Sequence, residues 1–136
     1  MTLKWQRTTE TTLERRLVDM PDESLWRGDR LRLSHHPGIG PDSPPLELMI
    51  YELWGYDEKL GLLILHGYKA GMPLFYFPAE SQGQGKLSVE TSWLIRSWSK
   101  CFCYWYHTDD TGNASVVPIE DALVIRQPQH MPDIVL

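Results

Sequence analysis

Apolar residues in this chain arrive in short runs, and glycine or proline stops most of them before a helix of ordinary length could form. The run Leu60-Gly61-Leu62-Leu63-Ile64-Leu65-His66-Gly67-Tyr68 is too brief and too closely flanked by glycine for a helix. Its lack of alternation predicts a strand buried on both faces, the central strand of a sheet. Lys69-Ala70-Gly71 then reads as a tight connection, because glycine takes positive φ without steric cost, and Met72 to Phe77 is aromatic and strand-like until Pro78 ends it. Two strands joined so closely form an antiparallel hairpin.

The same punctuation runs through the rest of the chain. Leu25 to Leu33 alternates, with Leu25, Leu31 and Leu33 in phase and Arg30 and Arg32 on the other face, so it reads as a strand pair or a bent strand with Gly28 at the bend. His35 to Pro45 holds four prolines and is a loop. Leu46 to Trp54 is apolar in both phases, interrupted by Glu47 and Glu52, before the polar turn material of Gly55 to Lys59. Ala79 to Lys86, with Ser81, Gly83 and Gly85, reads as a flexible loop. Cys103 to His107, a turn through Asn113, and Ala114 to Val117 form a second hairpin, Pro118 to Arg126 contains a last short strand, and 127–136 is a tail.

One segment has clear helical spacing. Ser88 can cap it, Glu90 stands in the first turn where the helix dipole favours an anion, and Trp93, Leu94, Trp98 and Phe102 recur on one face while Arg96 and Lys100 turn to water. Thr11-Thr12-Leu13-Glu14 has capping-box spacing, with Leu13, Leu17 and Met20 following at near-helical intervals, which predicts a short helix there too. At 136 residues, 42% of them apolar, the chain has room for one domain spanning 1–136 and no more. The expected fold class is α+β: a curved, mainly antiparallel sheet of five to seven strands packed against one principal helix around Trp93 and Trp98.

Charge narrows the function. Thirteen Lys and Arg against eighteen Asp and Glu give a formal charge of -5, the wrong sign for a phosphate-backbone binder, so no nucleic-acid partner is expected. The N-terminus lacks the apolar stretch of a signal peptide, and purely apolar tracts such as Leu62-Leu63-Ile64-Leu65 are far below the ~20 residues that span a bilayer, which points to the cytoplasm and away from membranes. Cys101 and Cys103 sit on one side of any extended strand, where bridging would be strained, so free thiols are expected. With His107 they supply at most half of a zinc site, and no metal is assigned.

Signatures of catalysis are not found in the sequence. Gly-x-Ser-x-Gly, His-Glu-x-x-His and a Cys-His nucleophile pattern do not occur, and Gly83-Gln84-Gly85 lacks the strand, turn and helix that a phosphate cradle needs, so no cofactor is assigned either. His35 and His36 lie in the proline-rich loop, and His66 lies in the most apolar run, where a hydrogen-bonded structural role suits it. A small acid–base enzyme using His66, His107 and Asp57 or Glu52 would need those groups to converge in one pocket.

Binding fits the residues better. Six Trp and six Tyr are many for this length, and neighbours on a strand alternate, so Tyr104, Trp105 and Tyr106 cannot all face inward. Carboxylates gather beside such aromatics: Asp57 and Glu58 after Trp54 and Tyr56, Asp109 and Asp110 after Tyr106, and Glu120 with Asp121. Together with Lys69 of the tight turn, Trp54, Tyr56, Asp57, Glu58, Tyr104, Trp105, Tyr106, Asp109 and Asp110 are the candidate partner-binding residues, aromatic anchors with acids that steer a basic partner. A self-associating scaffold could use the same surface, so a homodimer stays open.

Four stretches in one order carry a resemblance: Ser24-Leu-Trp-Arg-Gly28, Gly61-Leu-Leu-Ile-Leu-His-Gly-Tyr-Lys-Ala-Gly71, Ser92-Trp-Leu-Ile-Arg-Ser-Trp98 and Val117-Pro-Ile-Glu-Asp-Ala-Leu-Val-Ile125. Over about residues 22–126 the chain resembles the small bacterial immunity proteins of immunity protein family forty-five. The resemblance implies a non-enzymatic antitoxin that binds a cognate toxin domain of a polymorphic toxin system inside the producing cell, in interbacterial competition of the type VI secretion kind. It implies no particular interface residues. Lys69 and Gly71 stand nearest the family signature, where turn geometry also accounts for them.

Overall fold

Strand pairing organises the chain. The computed structural model describes residues 6–7, 13–33, 46–53, 59–66, 69–83, 87–104 and 115–127. In chain order the strands are β1 (Gln6–Arg7), β2 (Leu13–Arg16), β3 (Ser24–Trp26), β4 (Arg30–Leu33), β5 (Leu46–Glu52), β6 (Leu60–Ile64), β7 (Pro73–Tyr76), β8 (Ser88–Glu90), β9 (Cys103–Tyr104), β10 (Ser115–Val116) and β11 (Leu123–Arg126). Two helices, α1 (Thr91–Arg96) and α2 (Trp98–Cys101), lie between β8 and β9.

A seven-stranded sheet runs in the order β1-β2-β11-β4-β5-β6-β7, and β3 with β8 and β9 with β10 form two small pairs. Among the described residues every pairing is antiparallel, in line with the mainly antiparallel sheet expected. From β4 to β7 the sheet is a meander in chain order. The last strand, β11, then inserts between β2 and β4. The expected central strand, β6, is therefore next to the edge, and β4 takes the middle place of the seven. Adjacency along the chain could not show this, because the strands that extend the sheet past β4 come from the two ends of the sequence.

Burial on β6 does involve both faces. Leu60, Leu62 and Ile64 are buried in the core, while on the opposite face Gly61 is buried and Leu63 half-buried. The strand stops at Ile64, so of the two structural places open to His66, in the core or at the end of the sheet, it takes the second and is exposed. Gly71 has φ 90° in the turn before β7, and its N–H donates to the Ile64 carbonyl at 2.7 Å, closing the predicted hairpin.

The bend expected at Gly28 is present, with φ 95°. It turns the chain out of the β3–β8 pair and into β4 of the large sheet: Asp29 N–H donates to Trp26 O at 3.0 Å, and Gly28 N–H docks the turn onto Ile50 O at 2.8 Å. Asp29 is buried, and its Oδ2 accepts the Trp26 amide at 2.9 Å and the Arg126 guanidinium at 2.7 Å, while Oδ1 accepts Arg126 Nε at 2.9 Å. This two-pronged pair ties the β3–β4 turn to the last strand.

One core face serves the sheet and its cover. Leu31, Leu33, Leu46, Leu48, Ile50, Leu60, Leu62, Ile64 and Val124 from the sheet join Leu25 and Val89 of the β3–β8 pair and Trp93, Leu94, Trp98 and Phe102 in one buried cluster. Trp98 stacks on Phe102 with centroids 4.0 Å apart and donates its indole N–H to Val117 O at 2.7 Å, while Phe75 meets Phe102 edge-on at 5.7 Å.

The helical expectations need two corrections. The single principal helix is two short ones, of six and four residues, meeting at Ser97, whose φ -99° and ψ 6° interrupt the regular helix. The apolar stripe keeps its phase across that break, so Trp93, Leu94, Trp98 and Phe102 are all buried as the spacing implied. Ser88 does not cap, because residues 88–90 pair with β3, and Thr91 fixes the helix start by donating its hydroxyl to Glu23 O at 3.0 Å while accepting the Glu23 amide at 2.9 Å. At the N-terminal end, Leu13–Arg16 is a strand and not a helix, captured by pairing with β11. Leu17 and Met20 are both buried across the 3-10 turn Leu17–Asp19, whose period of three satisfies their spacing as a helix would have. Between β7 and β8, Ala79–Ser81 is likewise a 3-10 turn, where the sequence suggested only a loop.

Candidate interaction surface

Two surfaces flank β7, the edge strand. The first is the face of the sheet turned away from the core. Glu47, buried on this face, accepts Arg30 Nη1 at 3.0 Å on one oxygen and Arg32 Nε at 3.1 Å and Nη2 at 2.7 Å on the other. Arg32 stands directly opposite Glu47 in the β4–β5 register, so the alternation that placed Arg30 and Arg32 together also aims both at one carboxylate. Two guanidiniums on one acid leave this patch with a positive balance.

Further along the face, register places Tyr51, Gly61 and Tyr76 side by side on β5, β6 and β7. The Tyr51 ring lies over Gly61, where an added Cβ would come within 2.7 Å of Cε1, and its hydroxyl reaches Tyr76. Burial first, then the charge Tyr76 carries once ionised and their hydrogen bond, push the Tyr51 phenol above its ordinary range. A neutral phenol favoured by the fold contributes stability that is present below the ordinary tyrosine pKa and is lost as pH rises through the raised one. Following tyrosinate absorbance against pH should therefore show a late-ionising tyrosine that Tyr51→Phe removes. In Tyr76→Phe that ionisation moves back toward the ordinary range without reaching it, because burial remains.

The second surface is a cleft of 690 Å³ between β7 and the two helices, lined by Leu74, Phe75, Trp93, Arg96, Lys100 and Cys101. Phe75 and Trp93 supply its aromatic walls, and Phe77 joins them beneath, edge-on to Phe75 at 5.0 Å and to Trp93 at 6.1 Å. Arg96 and Lys100 are exposed at its margin, on the helix face the sequence assigned to water. Tyr76 and Met72 are 54% and 53% exposed, two of the three large apolar side chains left open among the described residues.

Of the residues proposed from sequence, Trp54, Tyr56, Asp57, Glu58, Trp105, Tyr106, Asp109 and Asp110 lie outside the described residues. Their anchoring points are clear. Leu53 N–H donates to Lys59 O at 3.1 Å, on either side of residues 54–58, and Tyr104 pairs with Ser115, on either side of residues 105–114. Lys69 is half-buried in the β6–β7 turn, its carbonyl accepting Met72 N–H at 3.1 Å, a structural use of the backbone. Glu120 and Asp121 are exposed in the 3-10 turn Ile119–Asp121. The cleft itself went unread in the sequence: Tyr76 sits out of phase with Phe75 and Phe77, and Arg96 and Lys100 are four apart, but only the fold brings β7 against the helices.

Convergence for acid–base chemistry fails where it can be traced. Glu52 stands opposite Leu60 at one end of β6 and pairs with Arg27 at 2.9 Å, while His66 follows the other end, beyond Ile64. Roughly 13 Å of strand lies between those ends. His107 and Asp57 lie outside the described residues. Among the described residues no group of three or more His, Cys, Asp or Glu is placed to hold a metal ion, and no helix is long and apolar enough to cross a membrane.

A family model, immunity protein 45, matches residues 17–116, from the 3-10 turn after β2 to the end of β10. No curated protein and no solved structure matches the chain.

Proposed function

The chain belongs to the immunity protein 45 family, and on that premise we propose that it is an antitoxin that neutralises a cognate bacterial effector toxin by binding it stoichiometrically in the cytoplasm of the producing cell. The family match over residues 17–116 is the observation that carries this reading. Neutralisation by occlusion needs shape, anchors and charge, and it needs no turnover. The acids and aromatics at 54–58 and 104–110 supply contacts for a basic or active-site surface of the toxin, and the formal charge of -5 steers such a partner at long range. Type VI delivery of the toxin and competition between neighbouring bacteria complete the proposal.

The test is co-expression with the toxin domain encoded beside this chain. The expected result is a complex of one copy of each polypeptide, resolved by native mass. Recovery of both proteins as separate species would overturn the assignment, and a complex in which this chain is dimeric would instead favour self-association as part of its action.

A further inference from the structure

The acidic stretches at 54–58 and 104–110 leave the cleft beside β7 without a role, and its chemistry has the opposite sign. Arg96 and Lys100 stand against a single acid, Glu80, among the residues that line it. The floor and walls, Leu74, Phe75 and Trp93, suit an apolar anchor. The strand beside it also offers backbone. Phe77 N–H donates to Leu60 O at 2.9 Å, and Phe75 faces Leu62, so by the pleat of an antiparallel pair Tyr76, between them, directs its N–H and C=O away from the sheet.

Other details say what kind of chain can use that edge. Pro73 opens the strand, Pro78 follows it, and the register slips between Leu62 and Leu63, so only a short stretch of partner backbone can pair there. A second copy of this chain is a poor occupant. A twofold contact brings each patch against itself, which here sets Arg96 and Lys100 near their own counterparts.

We propose that this cleft seats a short, extended, acidic segment of the toxin, with one apolar side chain between Phe75 and Trp93, a backbone pair on Tyr76, and carboxylates facing Arg96 and Lys100. The proposal rests on the immunity reading above, and it makes the interface two-signed: acidic stretches meet basic toxin surface while this basic cleft takes an acidic strand. A cleft of mixed charge selects one toxin among relatives, since like charges placed opposite either patch are strongly disfavoured.

The probe is the purified toxin domain encoded beside this chain, titrated against the full-length protein. The double variant Arg96→Glu/Lys100→Glu, in which both altered side chains are exposed, should remain folded under the binding conditions, as its unfolding midpoint will show, and should bind about 100-fold more weakly. Alkylation by iodoacetamide gives a second readout on unaltered cleft residues. In a Cys103→Ser background, Cys101 at the cleft wall should react in the free protein and lose that reactivity in the saturated complex. Unchanged affinity of the double variant together with undiminished Cys101 alkylation would overturn the cleft assignment while leaving the immunity reading intact. A wild-type protein that does not bind the toxin overturns both.

Discussion

Asp29→Ala should cost the fold about 3–5 kcal/mol, a large share of the stability of a single domain. Asp29 is 1% exposed and accepts two hydrogen bonds from Arg126, itself 6% exposed, at 2.9 and 2.7 Å. Removing the acid takes both of these hydrogen bonds from a buried guanidinium that also donates to the Ser24 carbonyl at 3.0 Å. It also frees the Trp26 amide that Oδ2 holds in the turn at Gly28. Because β11 carries Arg126 and joins β2 to β4, the damage should spread to the N-terminal third of the sheet. Urea unfolding of the two proteins measures the difference. A double variant, Asp29→Leu/Arg126→Met, should recover much of the loss, because apolar side chains of similar size carry no uncompensated charge. A loss below about 1 kcal/mol for the single variant would mean that the pair is solvated and the ends of the chain are not joined in this way.

Trp98→Ala is expected to be comparably severe, about 3–5 kcal/mol. The indole is buried, stacks on Phe102 at 4.0 Å and closes the chain onto Val117 O through a 2.7 Å hydrogen bond. Its loss leaves a cavity at the junction of α2 with the β9–β10 pair and an unpaired carbonyl as well. Trp98→Phe separates the two effects: the ring volume is largely kept and the hydrogen bond is not, so a smaller loss of about 1–3 kcal/mol should remain. Equal losses for the two variants would show that packing contributes little at this position, contrary to the buried cluster described above.

Much of this architecture was legible in the chain, for local reasons. Leu31 and Leu33 alternate against Arg30 and Arg32, Gly28 marks a bend, Gly71 a turn, and Trp93, Leu94, Trp98 and Phe102 one buried stripe, and each of these follows from spacing and from the steric rules of single residues. What the spacing could not convey was tertiary competition. Leu13–Arg16 reads as helical in isolation and becomes a strand because β11, more than a hundred residues away, offers it a pairing partner. The Ser97 interruption leaves the apolar phase untouched, so nothing in the pattern announces it.

The candidate surfaces divide along the same line. Arg30 and Arg32 were visible as one face, whereas Glu47 between them was read only as an interruption in an apolar run, because its use depends on register. Asp29 and Arg126, 97 positions apart, gave no sequence signal at all. The cleft was hidden for that reason too, being assembled from β7, α1 and α2.

On the proposed reading this chain acts by occupying a toxin and not by transforming a substrate. Titrating it into a fixed amount of the toxin domain while following toxin activity tests that claim most directly. Toxin activity should fall linearly to zero at one equivalent and should be recovered when the complex is dissociated and the toxin refolded. Loss of toxin activity at a small fraction of an equivalent, continuing with time and persisting after separation, would show turnover and contradict it.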